Sequence, residues 1–127
     1  MNLNELHCRL IRLGQTQDEV GQGPQILNDL ITLSGSYLAQ RSLANVYEWI
    51  GPSSERSPEE YREQLMALDA SRRRSHNALI AQVRSTNRWC EQKGIAALFA
   101  GDLADRRAVA QFTLDLLCAC TQLKTSI

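Results

Sequence analysis

The stretch from Ser57 to Gly94 contains no proline after Pro58 and no internal glycine, and this continuity constrains the fold more than any other feature. Ser57 can cap the first free amide groups, Pro58 suits the first helical position, and Glu60 completes a capping box. At the other end, Lys93 and Gly94 form a typical helix terminus. The pattern predicts one long helix over residues 58–93.

A helix of that length is longer than the domain that contains it. At 1.5 Å per residue it would extend about 50 Å, whereas a compact domain of 127 residues is only about 36 Å across. Either a second copy of the chain covers the protruding part, or the helix breaks near residues 69–71. Asp69 and Ser71 could each cap a new start there.

Three other stretches have apolar residues at helical spacings of three and four. The first ends at Leu13, and the second, residues 25–50, follows Pro24 and could be divided at Gly35. The last begins at Asp102, which can cap it. Residues 95–100 predict a helical turn or brief helix, and residues 16–19 predict at most one turn.

The alternating pattern of a strand does not occur in this sequence. The sequence therefore predicts an all-α fold: a single domain over residues 1–127, built as a compact bundle of four to five helices around the long one. A length of 127 residues is enough to bury a core.

The charge balance bears on the class of partner. Fourteen basic and fourteen acidic residues give a formal net charge of zero, which argues against indiscriminate binding to nucleic acid or to anionic membranes. The balance is uneven along the chain, because residues 72–107 carry eight Lys or Arg and three acidic residues, a local excess of +5.

Hydropathy and cysteine usage bear on localisation. No apolar run approaches the length of a membrane span, and the first residues lack the layout of a signal peptide. The four cysteines include no CxxC pair, and a chain of this size does not need disulfides, so we expect reduced, mostly packed thiols. These features predict a cytoplasmic protein without a membrane partner.

The middle of the long helix carries a polar belt, which consists of Arg72, Arg73, Arg74, His76 and Asn77. This belt supplies the first candidate binding residues. The apolar face of this helix defines a seam that packs inward. Continuing its register through the belt places Arg72 and either Ser75 or His76 on that seam. A neighbouring strip of the helix, which includes Arg73, Asn77, Arg84 and Arg88, forms one continuous polar face. Guanidinium groups bind carboxylates or phosphates, and the Asn side chain both donates and accepts hydrogen bonds. The candidates are Arg72, Arg73, His76, Asn77, Arg84, Asn87, Arg88 and Arg107.

The same residues also have a structural interpretation, in which a solvated helix face pairs with acidic groups of another helix or subunit. No catalytic, nucleotide-binding or metal-ligand motif accompanies the belt. The sequence therefore predicts no catalytic residue, no metal and no cofactor, and it favours a protein that is not an enzyme.

The residues from Arg73 to Ile80, followed by Asn87-Arg88 and Gly94-Ile95, resemble the central segment of a small uncharacterised bacterial family of helical proteins, a domain of unknown function. The resemblance covers about residues 73–112. It implies a soluble helical protein of bacterial or phage origin and draws attention to His76, Asn77 and Arg107, without implying an activity.

Three functional hypotheses follow from the sequence. The leading one is a protein-interaction module that self-associates as a homo-oligomer or binds another protein. The second is binding of nucleic acid or another polyanion through the arginine-rich face, with Trp89 as a stacking surface. The third is a pocket for a small anionic ligand around His76 and Arg88.

Overall fold

The computed structural model describes residues 3–15, 22–52 and 55–125, which form four α-helices and no strand. The helices are α1 (Leu3–Gln15), α2 (Gln22–Ile50), α3 (Pro58–Gln92) and α4 (Arg106–Thr125). The all-α prediction is therefore confirmed. The one-turn helix predicted for residues 16–19 lies outside the described residues.

The long helix α3 is continuous over 35 residues, about 52 Å. Its start has the predicted Ser57 cap, since the Ser57 hydroxyl accepts a hydrogen bond from the Glu60 amide at 3.1 Å. The alternative break near residues 69–71 does not occur. Asp69 accepts from Arg72, and Ser71 accepts from Arg74, so neither side chain caps a new helix.

The end of α3 is a Schellman turn. The amide of Ile95 donates to the carbonyl of Cys90 at 3.0 Å, and the amide of Gly94 donates to the carbonyl of Glu91 at 3.1 Å. Gly94 has a φ of 72°, in the left-handed region that disfavours side chains with a Cβ.

Replacing two of the glycines by alanine should have opposite effects on stability. Gly94→Ala should lower the free energy of unfolding by about 1 kcal/mol, because alanine is strained at positive φ. Gly35→Ala should raise it by about 1 kcal/mol, because Gly35 lies inside α2 with open space around its Cα. Urea denaturation measures both, and a Gly94→Ala variant as stable as the wild type would contradict the account.

Two predicted boundaries are wrong. Gly35 does not divide α2, which runs unbroken from Gln22 to Ile50. The last helix begins at Arg106 and not at Asp102, because the Asp105 carboxylate caps it by accepting from the amides of Arg107 and Ala108. Asp102 instead accepts from Ala104 in the preceding turn.

Residues 95–100 form no helix, so the predicted helical turn there is also wrong. The segment instead places Leu98 and Phe99 into the core, where the Phe99 ring packs against Phe112 at 4.9 Å between centroids. Burial of these two side chains outweighs the weak helix propensity of so short a run.

The core occupies one end of the molecule. It combines Leu6, Leu10 and Leu13 of α1 with buried residues of the first part of α2, the last part of α3, and α4. Within α3, all of whose residues are described, no side chain before Leu79 is buried. The second half of α2 and the first half of α3 therefore extend beyond the core as an antiparallel helical hairpin, and residues 38–50 and 58–72 are called the distal arm below.

Two of the four thiols are buried and two are exposed. Cys90 and Cys120 lie in the core, while Cys8 and Cys118 lie on the surface, and none of the four forms a disulfide. The expectation of reduced thiols agrees with this, but only half of them are packed. Burial raises the pKa of the Cys90 thiol.

Candidate functional site

Arg72 and His76 lie on the inward seam of α3, as the register predicts. The Arg72 side chain is 16% exposed, and its Nη2 lies 2.7 Å from Asp69 Oδ1. Asp69 also binds Arg73, whose Nη2 lies 3.0 Å from Oδ2. One carboxylate on the same helix thus binds both arginines, and the hydrogen bond from Arg72 lowers the pKa of Asp69.

His76 packs against the buried Tyr37 of α2, with ring centroids 5.6 Å apart. Its Nδ1 atom is buried and has no hydrogen-bond partner among the described residues. Burial lowers the pKa of His76, and the positive charges of Arg106 and Arg72 lower it further. His76 is therefore a neutral seam residue at pH 7.

This pKa shift predicts a dependence of stability on pH. The unfolded chain, in which His76 has an ordinary pKa near 6.5, binds a proton before the native protein does. The free energy of unfolding should therefore fall as the pH is lowered below about 6.5. Urea denaturation at pH 7.5 and 5.5 measures this loss, which should be smaller in His76→Gln; an unchanged loss in that variant would refute the assignment.

The polar strip that neighbours the seam is exposed. Arg73, Asn77, Arg84 and Arg88 all lie on the surface of α3 and extend over about 22 Å of its length. Arg107 is exposed on α4. Twelve residues separate His76 from Arg88, about 18 Å along the helix, so the structure does not bring these two together in one pocket.

Asn87 has a different position from the other candidates. Its amide group donates from Nδ2 to the Phe99 carbonyl at 2.8 Å, and its Oδ1 accepts from the amides of Leu98 and Phe99 at 3.1 and 3.3 Å. Arg9 of α1 donates to the Ala97 carbonyl at 2.8 Å. Asn87 therefore fastens the segment between α3 and α4, and its polar atoms are used within the protein.

Trp89 is not available as a stacking surface for nucleic-acid bases. Its side chain is 8% exposed and belongs to the core, with the Lys93 ammonium 5.9 Å from the ring centroid. A base could not stack on a ring that is already covered.

The distal arm exposes a row of apolar side chains on α2, within the apolar stretch of residues 25–50. Leu43, Val46 and Ile50 of α2 are 54%, 53% and 66% exposed. Together with Leu68 of α3 they line an open groove of about 580 Å³. Trp49, on the same two turns of α2, is 86% exposed.

The end of the arm is held in a defined shape. The rings of Tyr47 and Tyr61 stack at 5.2 Å between centroids. Arg56 donates to the Tyr47 hydroxyl at 2.7 Å and lies over its ring. These contacts join α2 to α3 beside the groove, so the apolar row belongs to a braced hairpin.

Two features that the described residues lack bear on other classes of function. These residues contain no group of three or more His, Cys, Asp or Glu placed to hold a metal ion. None of the helices described here combines the length and apolarity that a membrane crossing requires.

Comparison with known proteins gives a family and no activity. The model of the family described as "Protein of unknown function (DUF3232)" matches residues 9–125. This extends well beyond residues 73–112, over which the sequence resembles an uncharacterised family. No curated protein and no solved structure gives a significant match. Because the family model spans nearly the whole chain, the protein belongs to the DUF3232 family.

Proposed function

We propose that this protein is an interaction module that self-associates through the apolar row of its distal arm. The observation that carries the proposal is the exposure of Leu43, Val46, Trp49 and Ile50 on adjacent turns of one helix. Contiguous apolar side chains on a rigid surface mark contact sites more often than isolated ones do.

A second copy of the chain fits this surface because of how the helices are distributed. Four helices surround the core, but only two continue into the distal arm. Two packed helices bury only the side chains between them, so an apolar row on the outer side of one helix stays exposed to solvent. Two arms packed against each other would restore a four-helix arrangement at that level, with each apolar row covered by the other copy.

Charge also favours a second copy over a strongly charged partner. The distal arm contains three arginines and five acidic residues, a net charge of only −2, so salt at physiological concentration screens most of the repulsion between two arms. A slightly acidic surface gives no long-range attraction to a polyanion.

The accessible surface leaves room for an interface. A compact monomer of 14.3 kDa exposes about 6,800 Å², whereas this chain exposes 8335 Å². The excess of about 1,500 Å² is larger than the roughly 800 Å² that one partner contributes to a standard interface.

Light scattering over a concentration series tests the proposal. We expect a mass above that of the 14.3 kDa chain at micromolar concentration. Reducing agent must be present, because Cys8 and Cys118 are exposed and could form disulfide-linked dimers. A mass equal to one chain at every concentration would overturn self-association.

Binding of a polyanion is a second candidate, which the exposed strip of Arg73, Arg84 and Arg88 favours. Such binding would weaken steeply with salt, because counterions are released from the polymer. Titration of a single-stranded and a duplex oligonucleotide at about 50 mM salt tests it. Absence of binding under those conditions would eliminate this candidate.

A further inference from the structure

A second cavity, of about 500 Å³, lies on the other side of the hairpin from the apolar groove. Arg41, Ala44 and Glu48 of α2 line it, whereas Leu43, Val46 and Ile50 line the groove. Each groove residue is two positions from a cavity residue, which is about 200° around a helix. A second copy seated on the groove would therefore leave the cavity open.

Three guanidinium groups from three helices line the cavity. Arg41 comes from α2, Arg72 from α3, and Arg106 from the first position of α4. The charge of Arg72 is offset by Asp69 at 2.7 Å. Neither Arg41 nor Arg106 makes an ion pair or hydrogen bond with a described residue, and Arg41 is only half-exposed.

The carboxylates of Glu48 and Asp69 also line the cavity, so its three arginines and two acidic residues leave a net charge of +1, which favours an anion at this concave site. The electrostatic effect of Arg106 reaches its neighbours, since it contributes to the lowered pKa of both Asp69 and His76. Carboxylates and phosphates are the groups whose geometry matches a guanidinium fork.

The rest of the cavity is suited to an apolar body. The Tyr37 ring, Leu65 and Met66 line it together with the arginines, and its volume falls within the range of small-molecule sites. We propose that this cavity binds a small amphipathic anion, whose carboxylate or phosphate group lies between Arg41 and Arg106 and whose apolar part lies along α2 and α3.

Calorimetric titration with phenyl phosphate, phenylacetate and benzyl alcohol tests the proposal. We expect one or both anions to bind, and the uncharged alcohol to bind at least about tenfold more weakly. The stronger of the two anions identifies the head group. Failure of both anions to bind at about 10 mM, or equal binding of the alcohol, would overturn the proposal.

Substitutions locate the site. Arg41→Gln and Arg106→Gln should each weaken binding of the anion about tenfold or more. Arg62→Gln is the matched control, since Arg62 is exposed on α3 outside both the cavity and the arginine strip, and it should bind as the wild type does. Equal melting temperatures check that the variants fold, and wild-type binding by Arg106→Gln would contradict the assignment.

The proposal does not depend on self-association. The same titration on a variant with a charged groove, Val46→Glu, should give the wild-type affinity whether or not that variant is monomeric. Loss of binding in Val46→Glu would show that the anion site requires the second copy, and would contradict the cavity as described.

Discussion

Replacing Val46 by glutamate should convert the associated protein into a monomer. Val46 is 53% exposed and lies in the middle of the apolar row, so the change places a charge at the centre of the proposed contact between two arms. Burying an unpaired carboxylate costs several kcal/mol, which is comparable with the free energy of a micromolar association, about 8 kcal/mol. Light scattering at micromolar concentration should then give the mass of one chain.

Met66→Glu provides the matched control for that experiment. Met66 is 67% exposed on α3 of the same arm, but it lines the cavity and not the groove. The two variants add the same charge to apolar positions that are both more than half exposed, so Met66→Glu should keep the wild-type mass. Equal masses for Val46→Glu and the wild type would show that the groove is not the contact.

Replacing Asn87 by leucine should lower the free energy of unfolding by about 3 kcal/mol or more. The substitution removes three hydrogen bonds and leaves two amides and one carbonyl of the Leu98–Phe99 backbone without their partner. Leucine has the same number and branching of side-chain heavy atoms as asparagine, with bulkier methyl groups in place of the amide oxygen and nitrogen, so the substitution removes the hydrogen bonds without leaving a cavity. Urea denaturation followed by circular dichroism measures it.

Asn77→Leu is the control for the Asn87 variant. Asn77 lies on the exposed side of the same helix and makes no hydrogen bond to another described residue. A surface substitution of this kind changes stability by less than about 0.5 kcal/mol. If the two variants were equally stable, the clamp between α3 and residues 98–99 would have no energetic role.

The bounds of α3 could be predicted because its termini are encoded locally. Ser57, Pro58 and Glu60 act within one turn, and Gly94 adopts the left-handed conformation that its neighbours require. The start of α4 could not be predicted as well, since Asp102 and Asp105 are both competent caps. Their local sequence signals are alike, so the sequence does not decide between them.

Among the candidate residues too, some positions could be predicted from the sequence and others could not. The position of Arg72 on the seam follows from the 3.6-residue period alone, whereas the period leaves Ser75 and His76 as alternatives for the next seam position. The clamp role of Asn87 could not be inferred, because its partners are backbone groups more than ten residues away. The pairing of Arg41 with Arg106 could not be inferred either, since only the packing of α2 against α4 brings these two arginines to one cavity.

The confinement of the core to one end has a consequence for how the molecule opens. Amide protons of residues 79–90 lie beside buried side chains, so their exchange with deuterated solvent requires disruption of the core. Amide protons of residues 58–72 are held by a hairpin with no buried side chain of α3, and they can exchange by local fraying at a much smaller free energy. A single helix would then contain a slowly exchanging half and a rapidly exchanging half, and docking of a second copy would slow only the latter.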